Sequence, residues 1–269
     1  LPGILSTLYR PLQPTVRASD ENVRYRELRP DSRLQPLIHC YWELKTTKQL
    51  PALFYYRVVA DGCIDVFFEP GRYDESFVMG FCRNYTEFSL LHTFRYVGIR
   101  FLPAMFSQLF RVNASELTNC FEQLGNVLPK AGKFIYEHVH AGHELEHIQL
   151  ILDRYFLKLA CDCPFDPDNR LYEALEIILK QRGQLKTAAF SDIGISTRQL
   201  RRLFDFYIGD APKAFSQIVR FQNLLRLAPT AETLRENKVF FDSGYFDQSH
   251  FIKEFKTFYG LTPVQAFTK

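Results

Sequence analysis

Residues 194–204 read GISTRQLRRLF, and residues 244–256 read GYFDQSHFIKEFK. At an offset of 51 residues, Ser196 pairs with Asp247, Leu200 with Phe251, Phe204 with Phe255, Tyr207 with Phe258, Gly209 with Gly260 and Pro212 with Pro263. Six matched roles at one spacing mark an internal repeat. Each copy carries the same local instructions. A glycine makes a tight turn, a side-chain oxygen caps the first amides of a helix, apolar residues recur four apart, and a glycine stop is followed by a proline. Such a unit is the second helix of a helix-turn-helix, the element that enters a DNA major groove.

The outward positions after the first cap are Thr197, Arg198, Arg201 and Arg202, and after the second Gln248, Ser249, His250 and Lys253. Arginine bonds guanine bidentately and glutamine does the same to adenine, whereas an ordinary solvated helix face mixes Glu with Lys. These eight are the candidate DNA-binding residues. Two such helices held roughly one turn of DNA apart, about 34 Å, reach successive major grooves from one monomer. The first 163 residues hold 18 basic and 18 acidic side chains, so the net charge of +3 resides in the remainder. That modest excess suits a few phosphate contacts better than an electrostatic coat.

On these motifs the sequence resembles the AraC-type transcription regulators. The two quoted stretches look like that family's recognition-helix motifs, and Tyr259-Gly-Leu-Thr-Pro263 is similar to its closing signature. The resemblance covers roughly residues 170–269. It implies a bacterial, cytoplasmic DNA-binding protein, activator or repressor, whose C-terminal domain has seven helices. Two helix-turn-helix units in it are joined by a long helix at about Lys213 to Leu227. It also implies base contacts from seven of the outward residues, Arg198, Arg201 and Arg202 in the first helix and Gln248, Ser249, His250 and Lys253 in the second. The chain departs from the pattern at Phe240 and Phe241, where the helix before the second recognition helix normally has a small residue, and at Phe190 in the first unit. Pro229 ends the connecting helix early.

The first 120 residues alternate β-branched and aromatic runs with turn signals: Leu37 to Leu44, Leu53 to Ala60, Cys63 to Phe68, Ser76 to Cys82 and Phe94 to Leu102. Asp61-Gly62 suits a type I′ hairpin between two of them. Pro103 opens a short helix, Ala104 to Phe110. The expected fold is therefore α+β: a β-rich, barrel-like regulatory domain over residues 1–120, a helical linker or dimerisation segment over 121–163, and an all-α domain with two helix-turn-helix motifs over 164–269. Asp61-Gly62-Cys63-Ile64-Asp65 and Gly98-Ile99-Arg100-Phe101 look like the β-rich domain that precedes many such DNA-binding regions.

In the linker, Leu145, Ile148, Ile151, Leu152, Tyr155, Phe156 and Leu159 form a helical stripe that covers the β domain or a second copy of the chain. Tyr41, Trp42, Tyr55, Tyr56, Phe67 and Phe68 are core residues or the lining of a small-ligand pocket. The expected partners are double-stranded DNA and a small-molecule or protein effector at the N-terminal domain, with a homodimer as a further expectation and no membrane. The start, Leu1 to Leu8 followed by Arg10 and Pro11, is too short and wrongly flanked for a secretory signal.

Cys40, Cys63, Cys82, Cys120, Cys161 and Cys163 read as free buried thiols in a chain large enough to need no staples. No cofactor, metal site or catalytic residue is expected. One rival motif is His143-Glu144-Leu145-Glu146-His147, the HExxH pattern of zinc peptidases, which needs two imidazoles one turn apart on a helix and a third ligand. Leu150 stands where the longer pattern needs glycine. The other rival is a degenerate helix-turn-helix that binds protein instead of DNA.

Overall fold

A computed structural model describes residues 2–14, 21–162, 168–185, 189–227, 244–245 and 247–267. Eight strands come first: β1 (Val23–Leu28), β2 (Ile38–Thr46), β3 (Phe54–Val58), β4 (Ile64–Phe68), β5 (Ser76–Met79), β6 (Thr86–Leu90), β7 (Arg95–Phe101) and β8 (Phe121–Gln123). Before them lies α1 (Pro2–Leu8), and among or after them α2 (Met105–Phe110), α3 (Leu124–Val127), α4 (Pro129–His138) and α5 (Leu145–Asp162). The C-terminal part holds α6 (Asn169–Lys180), α7 (Thr197–Tyr207), α8 (Pro212–Leu227), α9 (Gln248–Tyr259) and α10 (Pro263–Phe267).

Six strands form one antiparallel sheet in the order β1-β2-β7-β4-β5-β8, and β3 pairs with β6 alone. The architecture is α+β, but the expected barrel is open: two sheets face each other and do not close. The alternation of β2 shows why. Tyr41 points into the core beneath α5, while Cys40, Trp42 and Leu44 point the other way, toward Tyr56 and Val58 of β3. The large sheet thus has two apolar faces, one covered by helices and one by a two-stranded flap. Gly98 stands opposite Trp42, and any side chain there would collide with the indole.

The stripe on α5 is used inside the chain. Leu145, Ile148, Leu152 and Phe156 are buried on the β sheet, and the Tyr41 hydroxyl donates to Asp153 of the same helix at 2.9 Å. It is therefore no free surface for a second copy. Of the cysteines, Cys40 and Cys63 are buried, Cys82 and Cys120 half-buried, and Cys161 exposed, which corrects the expectation of uniform burial; Cys163 lies outside the described residues.

Asp61-Gly62 is also corrected. β3 and β4 belong to different sheets, so the dipeptide makes a corner, not a hairpin, and only Gly62 has positive φ (68°). The Asp61 carboxylate accepts from the Cys63 amide at 3.0 Å, and Gly62 sits so close to Phe215 of α8 that a Cβ would lie 2.9 Å from its ring. The corner is a docking point for the C-terminal helices. Around it, the buried Gln222 amide of α8 bonds Ala60 O (2.8 Å) and both backbone groups of Leu12. Arg83 pairs with Asp210, and the Ala60 amide donates to Phe258 O at 3.1 Å.

Gly62→Ala should therefore destabilise the protein by about 1 to 2 kcal/mol, the cost of a left-handed conformation for an L residue. Faster hydrogen exchange in α8 should accompany it. Urea unfolding checks the first, and an unchanged midpoint would mean that the corner is not tight in solution.

Candidate nucleic-acid interface

The repeat becomes two helices built alike. The Ser196 hydroxyl accepts from the Gln199 amide while the Gln199 side chain accepts from the Ser196 amide, both at 3.2 Å, a reciprocal cap on α7. Asp247 caps α9 by accepting from the His250 amide at 2.8 Å. Leu200 and Phe204 of α7, and Phe251, Phe255 and Phe258 of α9, are buried. Gly209 and Gly260 end the helical turns in left-handed conformations, and Pro212 and Pro263 begin α8 and α10.

With the apolar stripes fixed inward, Thr197, Arg198, Arg201 and Arg202 are exposed on α7, and Gln248, Ser249, His250 and Lys253 are exposed on α9. Their surroundings differ. Arg201 makes only a loose pair with Asp205 at 3.8 Å. Arg202 borders a cleft shared with Asn113 and Ser115 of the β half and Arg170 of α6. His250 lies 3.7 Å from Glu254 and edge-on to the Tyr245 ring. Lys253 borders a second cleft with Arg83.

Both helices rest on α8. Phe204 meets Phe215 at 6.2 Å between ring centroids, and Phe255 and Phe258 meet Phe221 at 5.5 and 5.3 Å. A rise of about 1.5 Å per residue puts these two anchor points about 9 Å apart along α8. A second bond system orients α9: Arg220 of α8 donates to both oxygens of Glu254 (2.7 and 2.8 Å), Gln217 donates to one of them (2.9 Å), and the guanidinium lies over the Tyr245 ring. Neither Arg220 nor Glu254 belongs to the outward face that the sequence pattern marks. The available signal was Glu254 itself, a carboxylate inside the apolar stripe of Phe251, Phe255 and Phe258.

In the first unit the position ahead of α7 holds a 3-10 turn, Ser191–Ile193, preceded by the half-buried Phe190. Phe240, Phe241 and Pro229 lie outside the described residues, and α8 ends at Leu227.

The peptidase motif lacks its geometry. α5 begins at Leu145, so His143 and Glu144 precede the helix that carries His147. Glu144 is drawn to Arg26 (3.6 Å) and Lys45 (3.9 Å), and the His143 and His147 rings pack on each other at 4.3 Å.

Between the two sheets lies a cavity of about 390 Å³. Trp42, Tyr56, Phe67, Phe88 and Phe121 face it, with Asp65 and Arg100 in its wall. Of the six aromatics considered from sequence, Tyr41 and Phe68 are core residues and Tyr55 is exposed. The Arg100 guanidinium is buried and donates to Asp65 at 2.9 and 3.2 Å, and Trp42 Nε1 donates to the same carboxylate at 3.0 Å. Burial pushes Asp65 up, to about 6, against the opposing pull of the Arg100 charge.

Two family models match the sequence. One is a domain of unknown function, DUF6597, over residues 26–122, and the other a helix-turn-helix domain over residues 191–269. No curated protein matches. Among solved structures the chain is similar to ToxT from Vibrio cholerae O395, with 13% identity, a TM-score of 0.39, and coverage of 93% of this chain and 98% of that one. ToxT bound to (E)-4-(8-methylnaphthalen-1-yl)but-3-enoic acid gives 12% identity, a TM-score of 0.40, and coverage of 91% and 97%. Unsaturated fatty acid-bound ToxT gives 12%, 0.38, and coverage of 93% and 96%. No helix among the described residues is long and apolar enough to cross a membrane.

Removing one partner of a buried ion pair strands the other. Arg220→Ala should cost on the order of 3 kcal/mol in unfolding free energy, with α9 the first helix to lose hydrogen-exchange protection. Uniform loss of protection over the whole chain would deny the pair its local role.

Proposed function

We propose, on the premise that residues 191–269 are an AraC-type helix-turn-helix domain and the chain a DNA-binding transcription regulator, that it reads a two-part operator in the cytoplasm through α7 and α9. The observation that carries this reading is the pair of capped helices on one support, α8, each with its apolar stripe buried and four polar residues exposed. Arg198, Arg201 and Arg202 supply the contacts of the first half-site, on guanine edges. Gln248, Ser249, His250 and Lys253 supply those of the second. Thr197, at the start of α7, meets backbone phosphate, as helix N-termini commonly do.

An effector acts through the β half. The cavity falls within the volume range of small-molecule sites, and its aromatic walls, with an ionic end at Asp65 and Arg100 and two further carboxylates, Glu75 and Glu87, in the lining, suit a largely apolar molecule that carries polar groups. Contacts continue from that ionic end to the DNA-binding part. Arg100 Nε lies 3.4 Å from Asp61, Asp61 accepts from Gln13 at 2.9 Å, and Leu12 is bonded to Gln222 of α8.

Selection of bound sites from a random duplex library with the full-length protein tests the reading directly. Two half-sites about ten base pairs apart are expected, with a binding constant that falls steeply with salt. Arg201→Ala and Arg202→Ala should each weaken the selected site by about 1 to 3 kcal/mol and relax the base preference beneath them. Equal loss on random DNA would make them phosphate contacts. No enriched sequence from either the full chain or residues 164–269 would favour a protein-binding role.

The cavity has its own check. An apolar naphthalene dye should gain fluorescence on the folded protein and lose that gain in Met79→Trp, whose indole would fill the space. Dye binding unaffected by the substitution would place it elsewhere.

A further inference from the structure

β2 carries an irregularity between Ile38 and Cys40, where its register against β7 shifts. Consecutive strand residues normally point to opposite faces, and a bulge is the device that turns a side chain out of that alternation. His39 and Cys40 are here directed toward a common point. Glu27, opposite Trp42 on β1, is the diagonal neighbour of Cys40 across the ladder. One donor atom from each of Glu27, His39 and Cys40 lies within 4.8 Å of the others. A cleft of about 260 Å³ opens onto the three, walled on its far side by residues 10–13.

We propose that Glu27, His39 and Cys40 bind one thiophilic transition-metal ion of the zinc type, with the fourth position open to the cleft. One sulfur, one imidazole nitrogen and one carboxylate oxygen form a borderline-soft set, and three protein ligands are the number found in zinc sites that keep their fourth position for water or an added ligand. The Tyr25 hydroxyl donates to Glu27 at 2.6 Å and orients the carboxylate. No hydrogen bond among the described residues engages the His39 ring or the Cys40 thiol, so both are available.

The charges around the site select the kind of ion. Arg100 Nη1 approaches Glu27 at 3.9 Å, but its charge is matched by Asp61 and Asp65. Arg10 and Arg29 border the cleft and add positive charge. A hard cation held by charge alone would be disfavoured there, whereas a metal bound through a thiolate gains covalency that neighbouring cations do not cancel. The site also adjoins the domain junction. Leu12, in the cleft wall, shares both backbone groups with Gln222 of α8, and the Arg10 carbonyl accepts from Arg226 at 2.6 Å. An ion in the cleft therefore sits one contact from the helix that supports both recognition helices.

Cobalt(II), a visible stand-in for zinc, tests the site on the reduced, chelator-treated full-length protein. One equivalent should produce a thiolate-to-cobalt charge-transfer band and the intense visible bands of a four-coordinate ion, and equimolar zinc should abolish both. Cys40→Ser should remove the charge-transfer band. His39→Ala and Glu27→Gln should each weaken binding by roughly tenfold or more. Cys161→Ser and His147→Ala should leave it unchanged. Glu27→Gln alters an exposed side chain, so matching melting curves without metal separate a lost ligand from a lost fold. No band at one equivalent, or a band that survives Cys40→Ser, would overturn the assignment.

Discussion

The Arg100 guanidinium, buried in the middle of the large sheet, sets the terms for its neighbours. An unpaired charge at such depth is prohibitive, so carboxylates must stand beside it, and Asp65 at 2.9 Å and Asp61 at 3.4 Å do so. Each carboxylate then has a second task. Asp65 accepts from Trp42 Nε1 and fixes the indole that walls the cavity. Asp61 holds the corner that carries Gly62 against Phe215 and gathers Gln13 from the N-terminal segment. The cavity, the corner and the contact between the N-terminal segment and α8 thus share one charge cluster, joined by ion pairs and hydrogen bonds.

α8 plays the matching part in the C-terminal half. It receives α7 at Phe215, α9 at Phe221 and Arg220, the β corner at Gln222, and the N-terminal segment at Arg226. A helix is stiff over this length, so α7 and α9 are both referred to one rigid element that the β half also touches. The β half reaches α9 directly as well: the Tyr85 amide donates to Thr257 O at 3.0 Å, in the C-terminal half of that helix, away from its capped start. The exposed faces are left clear while their backs are anchored.

Local chemistry explains which parts were legible beforehand. Caps, stops and stripes act within a few residues, so the 51-residue repeat announced α7 and α9 with their caps, glycines and buried faces. Five strand runs were visible for the same reason and coincide with β2, β3, β4, β5 and β7 to within a few residues. Thr86–Leu90 passed unnoticed because its alternation, TEFSL, is short and only half apolar. Asp61-Gly62 makes a corner where the dipeptide suggests a hairpin, because such a dipeptide reports a turn and says nothing of which strands the turn joins.

The sequence by itself determined the α+β class, the repeat, the capped helices and the eight outward side chains, since each follows from propensity and period within one element. Tertiary structure alone decided the rest. That β3 pairs with β6 and leaves the barrel open, that Arg220 reaches Glu254, and that the stripe of α5 is spent on its own sheet all depend on pairings between distant residues. So does the meeting of Glu27, His39 and Cys40. Such contacts are chosen by how whole faces fit and by which buried charges find partners, and no local rule encodes either.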